Sequence, residues 1–369
     1  MIYLDHNATT PIDDRVLEAM LPFLKSLYGN PSSLYRYGRI TRSALDTARE
    51  QVAALIDAPS SKIIFTSGGT ESNTLALTGC SSLSKLAVSA IEHPSIAETA
   101  TRLKKIGASV KLLPVDNNGL ITQEAIENTI KDKPDLVSIM LANNETGTIQ
   151  NLSDITQQLK ELDITIHTDA VQAAGKIPVS FIQLGVQLMS LSSHKIYGPK
   201  GCGALIVEKH TLLNPLFLGG DQEQGLRAGT ENIAAIVGFG KAAELAKSEL
   251  NKRTSHLLKL RNLLEDGLKT IPGLTIFAQL TQRLPNTVQF GIPKIDGEMM
   301  LMNLDKRGFA ISSGSACASG GNLPSPVLLA MNIESGLAKS ALRVSLGITN
   351  TAEDISEFIN QLKTLVYQV

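Results

Sequence analysis

Residues 164–172 read ITIHTDAVQ: a run rich in β-branched residues leads straight into an aspartate, Asp169, with a glutamine, Gln172, three positions on. This is the pattern of a buried strand that turns polar at its carboxyl end. The same figure recurs on either side, as KIIFTSG (62–68), LAVSAIE (86–92), VKLLPVD (110–116), LVSIMLANN (136–144) and LMSLSSH (188–194). Helical patterns lie between these runs, among them ESNTLALTG (71–79), PSIAETATRLKKIG (94–107) and SDITQQLKEL (153–162). Strand then helix, repeated over residues 14–250, implies an α/β domain with a mainly parallel sheet and helices on both faces. Ligands of such sheets sit beyond the carboxyl ends of the strands, where these runs turn polar.

Past a long helical region at about 231–270 the pattern changes to LTIFA, NTVQFGI, a helix over 297–307, FAISSG, ALRVSLG and a terminal helix. Residues 1–13 and 251–369 therefore read as a second, smaller α+β domain. Composition adds exclusions. The chain has 369 residues, with 34 basic against 35 acidic side chains, so no charge excess favours nucleic acid. Its three cysteines, Cys80, Cys202 and Cys317, form no CxxC pair and suit a reducing compartment, with the cytoplasm as the default. No apolar run reaches the roughly 18 residues of a membrane span.

Three features carry chemistry. In FTSGGTESN, Gly68, Gly69 and Thr70 stand between a strand and a helix, which suits either an anion site or an ordinary turn capped by Thr70. Asp169 suits a cationic ring nitrogen, a metal or a helix cap. In LSSHKIYGPKG, Ser192, His194 and Lys195 follow a buried strand, where a lysine can form a Schiff base instead of lying solvated at the surface. Taken together and in this order, anion site, acid and lysine supply the contacts that pyridoxal 5′-phosphate needs.

YLDHNATTP, GNPSS, FTSGGTESN, EHPS, NNETG, HTDAVQ, SSHKIYGPKG, LRAGTEN, SSGSACASG and LRVSLG occur in order from residue 3 to 347. Together they closely resemble the pyridoxal-phosphate-dependent cysteine desulfurases of the IscS/NifS type, in the class-V aminotransferase superfamily. The resemblance implies fold type I of these transferases, with a seven-stranded, mainly parallel sheet in the large domain and a mobile cysteine loop at about residues 312–323. It implies that Lys195 carries the cofactor, Asp169 pairs with its ring nitrogen, Gln172 reaches its ring hydroxyl and His93 stacks on its face. Gly69, Thr70, Ser192 and His194 would hold the phosphate, joined by Thr230 from the other subunit of a homodimer. Asn144 and Arg343 would bind substrate, with Arg343 taking the carboxylate.

On this reading L-cysteine gives up its sulfur to the Cys317 thiolate, alanine leaves, and the persulfide passes to an acceptor protein, a scaffold or a thiotransferase. His93 would accept the substrate thiol proton. Cys317 lies in ISSGSACASGG (311–321), among small residues with almost no bulk to bury a thiol, whereas Cys80 and Cys202 read as structural. The sequence departs from the family pattern at Tyr35 and Gln224, where histidine and arginine are common. Rival readings are a selenocysteine lyase or other class-V enzyme, a non-catalytic partner that keeps the fold, and a metal site around His167 and Asp169.

Overall fold

The computed structural model describes residues 1–80, 83–313 and 323–367, so Cys317 and most of its loop lie outside the described residues. The chain opens with a short strand, β1 (Ile2–Tyr3). It then builds a 7-stranded sheet from β2 (Ile63–Thr66), β3 (Lys85–Ser89), β4 (Ser109–Leu113), β5 (Leu136–Ser138), β6 (Thr165–Asp169), β7 (Leu188–Ser192) and β8 (Gly203–Val207). Their order is β2-β8-β7-β6-β5-β3-β4. Neighbours are parallel except at β8, which runs against both β7 and β2. Antiparallel strands need no helical crossover, and β8 returns from β7 through the glycine-rich segment 198–203.

Alternate residues of these strands face two different cores, which is why they read as unbroken apolar runs. Phe65, Val137, Ile166, Met189 and Ile206 pack with the helices Arg36–Leu55 and Ile233–Ser248. Ile64, Leu86, Val88, Leu136 and Leu205 pack with Gly69–Thr78 and Pro94–Lys105 on the opposite face.

The carboxyl-terminal part forms a smaller antiparallel sheet from β9 (Thr275–Ile276), β10 (Thr287–Gly291), β12 (Ser312–Ser313) and β13 (Leu342–Ser345), in the order β12-β13-β10-β9, while β11 (Phe309–Ala310) pairs with β1. Leu4 joins its apolar core with Leu257, Leu264, Phe290, Val344 and Phe358. Two runs of the sequence are divided here. FAISSG splits into β11 and β12, which serve different sheets. The long helical region breaks at Glu249 into Ile233–Ser248 and Leu250–Lys269, and the Glu249 carboxylate is held by Arg15 and Arg253.

Residues 5–13 bridge the two sheets. Asp5 pairs with Ser345, and His6 N–H donates to the Ser345 carbonyl. Five to eight residues on, Thr10 N–H donates to His194 O and Asp13 N–H to Tyr197 O. The amino terminus thus ties the small sheet to the loop that bears Lys195.

Because β2, β6 and β7 point the same way, Thr66, Asp169 and Ser192 end at one edge. Gly203 pairs there with both Thr66 and Ser192. A Cβ at 203 would lie 2.6 Å from Gly68 Cα and 2.7 Å from Leu191 O, both backbone atoms that cannot swing aside. Gly203→Ala is expected to cost about 1–3 kcal/mol, as overpacking does, read by thermal unfolding of the apoprotein.

Candidate active site

The loop after β2 turns through Gly68, whose φ of +155° favours glycine. Gly68 is the N-cap of the helix Gly69–Thr78 and no side chain caps that helix, so its first N–H groups are open toward an anion. Thr70 lies inside the first turn, which corrects the reading of Thr70 as a cap. A Cβ on Gly69 would lie 3.1 Å from Val171 Cγ2 and 3.6 Å from Ser192 Cβ. The ends of β2, β6 and β7 therefore converge at Gly69.

Asp169 is buried at the end of β6. One oxygen accepts from Val171 N–H at 2.9 Å and the other from Asn73 Nδ2 at 2.7 Å. Asp169 thus acts as a turn cap and also presents a buried carboxylate, without an ion-pair partner among the described residues. Asn73 donates as well to Ser95 Oγ at 2.8 Å, which lies 2.8 Å from His93 Nδ1. His93 itself caps the helix Pro94–Lys105, with Nδ1 accepting from Ser95 N–H at 3.1 Å. That bond leaves the ring proton on Nε2 of the neutral imidazole. Burial, reinforced by the charge of Lys195 and opposed by Asp169, holds His93 below the usual histidine range.

Lys195 lies in the short turn Ser193–Lys195, with Nζ 2.6 Å from Asn7 O and 2.7 Å from Ala8 O. Its neighbour His194 pairs with Thr9 Oγ1 at 3.1 Å, and burial, then the charges of Lys195 and Lys200, lower it to about 4. Gln172 donates from Nε2 to Asn7 O at 3.0 Å and accepts at Oε1 from Lys176 Nζ at 2.7 Å.

Arg343, on β13, is buried. Nη2 meets Asp5 Oδ1 at 2.7 Å, and Nη1 donates to Asn144 O at 3.0 Å. The next residue, Glu145, is buried too and accepts from Ser325 Oγ at 2.6 Å and from Gln289 Nε2 at 3.1 Å. Thr230 is exposed and lines a cavity of about 250 Å³ with Ser67, Gly201 and Arg227, beside the β2 loop. His167 is a core histidine between Ser138 and Ser190, and burial lowers it to about 3. Cys202 is buried, and burial raises its thiol well above the usual range; Cys80 is raised to about 11 for the same reason. Neither is poised as a thiolate. Tyr35 is exposed, and Gln224 donates to Ser61 O.

The class-V aminotransferase family matches residues 2–358. The chain belongs to that family. A cysteine desulfurase IscS of Dictyoglomus turgidum is 44% identical over 99% of this chain and 94% of its own length. A solved NifS-like protein superposes with a TM-score of 0.93 at 37% identity, all of both chains being covered. SspA, solved in complex with cysteine, gives a TM-score of 0.84 at 33% identity, over 95% of this chain and all of SspA. The fold is that of these NifS-like proteins, and the family is one of pyridoxal-phosphate enzymes.

Gly69, Asp169, Ser192 and Lys195 are brought together by strand ends that the sequence already marked. Asn7, Asn73, Ser95, Glu145 and Lys176 were missed as individual residues. Asn7, Asn73, Ser95 and Glu145 stood inside quoted motifs, and Lys176 follows Gln172 by four residues.

Burial pushes Glu145 up to about 7, only partly offset by Ser325, Arg343 and Gln289. A carboxyl raised above its unfolded value of 4.5 favours folding fully below 4.5, and that advantage is lost as pH rises through 7. Glu145→Gln should therefore gain stability relative to the wild type across that window, by up to roughly 3 kcal/mol, measured by denaturant unfolding at a series of pH values.

Proposed function

We propose that the chain is a pyridoxal-phosphate-dependent cysteine desulfurase, which moves the sulfur of L-cysteine onto Cys317 and releases L-alanine. The observation that carries this reading is Asp169: a buried carboxylate held only by neutral donors among the described residues, at the edge where an open helix N-terminus and a lysine converge. A protonated ring nitrogen supplies the counter-charge such a carboxylate lacks. The open N–H groups at Gly69 and Thr70, with Ser192, suit the phosphate. The donor set fits the cofactor.

Pyridoxal phosphate bound there supplies an electron sink that loosens the Cα proton and then the Cβ–sulfur bond of the substrate. The chain's own groups do the rest. Lys195 holds the cofactor and moves the Cα proton, and the Asn7 and Ala8 carbonyls steady its amine. His194 adds to the phosphate contacts, as does Thr230 of a second copy, and Gln172 reaches the ring hydroxyl. His93, kept neutral, covers the ring and takes the substrate thiol proton.

Arg343 offers its planar fork to the substrate carboxylate next to Asn144. Arg343 Nε has no hydrogen-bond partner among the described residues and is a donor left for that carboxylate. Cys317 thiolate attacks the substrate sulfur: an S–S bond forms, the Cβ–S bond breaks, its electron pair stays on carbon, and a proton completes alanine. The persulfide then passes to a thiol of an acceptor protein, a scaffold or a thiotransferase. The cysteine complex of SspA supports L-cysteine as substrate.

The lack of CxxC pairs supports a reducing, cytoplasmic setting. Among the described residues no helix is long and apolar enough to cross a membrane. A homodimer is what the role given to Thr230 requires, and Thr230 is exposed beside the β2 loop.

Cys317→Ala should cut alanine and sulfide release by at least about a hundredfold while keeping the visible absorbance of the bound cofactor. Undiminished release would reject Cys317 as the sulfur acceptor. Lys195→Ala should lose the absorbance of the lysine-linked cofactor. Light scattering should give twice the chain mass of 39.4 kDa; a fully active species of one chain mass overturns the role given to Thr230.

A further inference from the structure

Lys176 is buried and takes no part in the chemistry above. Among the described residues its amine has no carboxylate partner, and donates instead to two side-chain amides, Asn7 Oδ1 at 3.0 Å and Gln172 Oε1 at 2.7 Å. Burial, then the charges of Lys195 and Arg343, push that amine well below the usual lysine range. A buried amine is costly, and an apolar side chain of similar shape would often be more stable in its place. Lysine at this position therefore calls for a role other than stability.

The geometry supplies one. Gln172 lies between a donor and an acceptor: Lys176 Nζ donates a hydrogen bond to Oε1, and the Asn7 carbonyl accepts one from Nε2 at 3.0 Å. A reversed amide would set oxygen against the carbonyl, so the two partners fix which end is which. One N–H of Gln172 is then left for a ligand, while its oxygen stays turned toward Lys176.

Asn7 is held as fully. Its Oδ1 accepts from Lys176 and from Asn286 Nδ2 at 3.0 Å, and its Nδ2 donates to Thr287 Oγ1 at 2.9 Å and Asn144 O at 3.0 Å. The main-chain carbonyl of this same residue holds Lys195 Nζ. Lys176 thus grips the side chain of the residue whose backbone grips Lys195.

We propose that Lys176 is a positioning residue for the lysine–cofactor centre: it clamps the Gln172 and Asn7 amides so that Gln172 presents an N–H to the cofactor's ring oxygen and the Asn7 carbonyl stays at Lys195. This rests on the reading of Lys195 and Gln172 as cofactor contacts. The test uses holoenzyme carrying Lys176→Met, Lys176→Gln and Gln172→Ala, singly and with each Lys176 change combined with Gln172→Ala. The readouts are the visible absorbance maximum of the bound cofactor and the rate at which cofactor is lost on dilution into cofactor-free buffer.

Lys176→Met is expected to shift the maximum and speed cofactor loss roughly tenfold, and to add less than about twofold once Gln172 is already alanine. Thermal unfolding of the apoproteins is read alongside, because Lys176→Met also leaves the Gln172 oxygen without its donor; a loss of stability alone would change neither the absorbance maximum nor the dependence of the effect on Gln172. Should the Met variant fail to fold, Lys176→Gln is read in the same way. An unchanged maximum and loss rate in both Lys176 variants, or an equal effect with and without Gln172, overturns the proposal. Lysine-linked absorbance that survives Lys195→Ala overturns instead the cofactor reading on which it rests.

Discussion

The site depends on one residue, Asn7, with every hydrogen-bonding group of its side chain and its carbonyl committed. The carbonyl takes the Lys195 amine and Gln172, and the side-chain amide takes Lys176, Asn286, Thr287 and Asn144. These partners come from the small sheet and from the segments that follow β5, β6 and β7 of the large one. A buried amide left unpaired costs about 1–3 kcal/mol per group, so the network is an all-or-none arrangement. Through it the small sheet, which brings Arg343, is kept in register with the large sheet, which brings Asp169 and Lys195.

The parallel sheet makes the convergence possible. Strands that run the same way end at the same edge, and β8, running backward between β2 and β7, pulls the glycine loop and the lysine turn together at Gly203. No Cβ fits there, so the glycine loop and the lysine loop approach as closely as backbone allows.

Burial then sets the charges. His93, His167 and His194 are all lowered, so the imidazoles around the site are neutral near pH 7. Glu92, three residues beyond β3 and next to His93, is raised well above its usual range by burial and by Asp169, and one of its oxygens accepts the Met140 N–H at 2.6 Å. It thereby continues the hydrogen bonding between β3 and β5 after the backbones part. Neutral imidazoles leave the Asp169 carboxylate as the group that a cationic ring would meet.

Much of this was legible in the sequence because it is local. Apolar runs ending in Ser67, Asp169 and Ser192 are β-rich over five or so residues whatever surrounds them, and glycines at 68 and 69 mark a turn in any context. The order of motifs from residue 3 to 347 carried the family. Other features depended on residues far apart in the chain. FAISSG read as one strand but divides, because β1 and β13 draw its two halves to different sheets. Arg343 is a charge inside the run ALRVSLG, yet it is buried, with Asp5, 338 residues away, paired to it. Asn7 and Lys176 were plain polar residues until folding placed them 3.0 Å apart. Sequence by itself determined the strands, the turns and the chemistry available at their ends. Tertiary structure alone decided which polar groups lost water and had to find partners, since that cost exists only once the two sheets have closed over them.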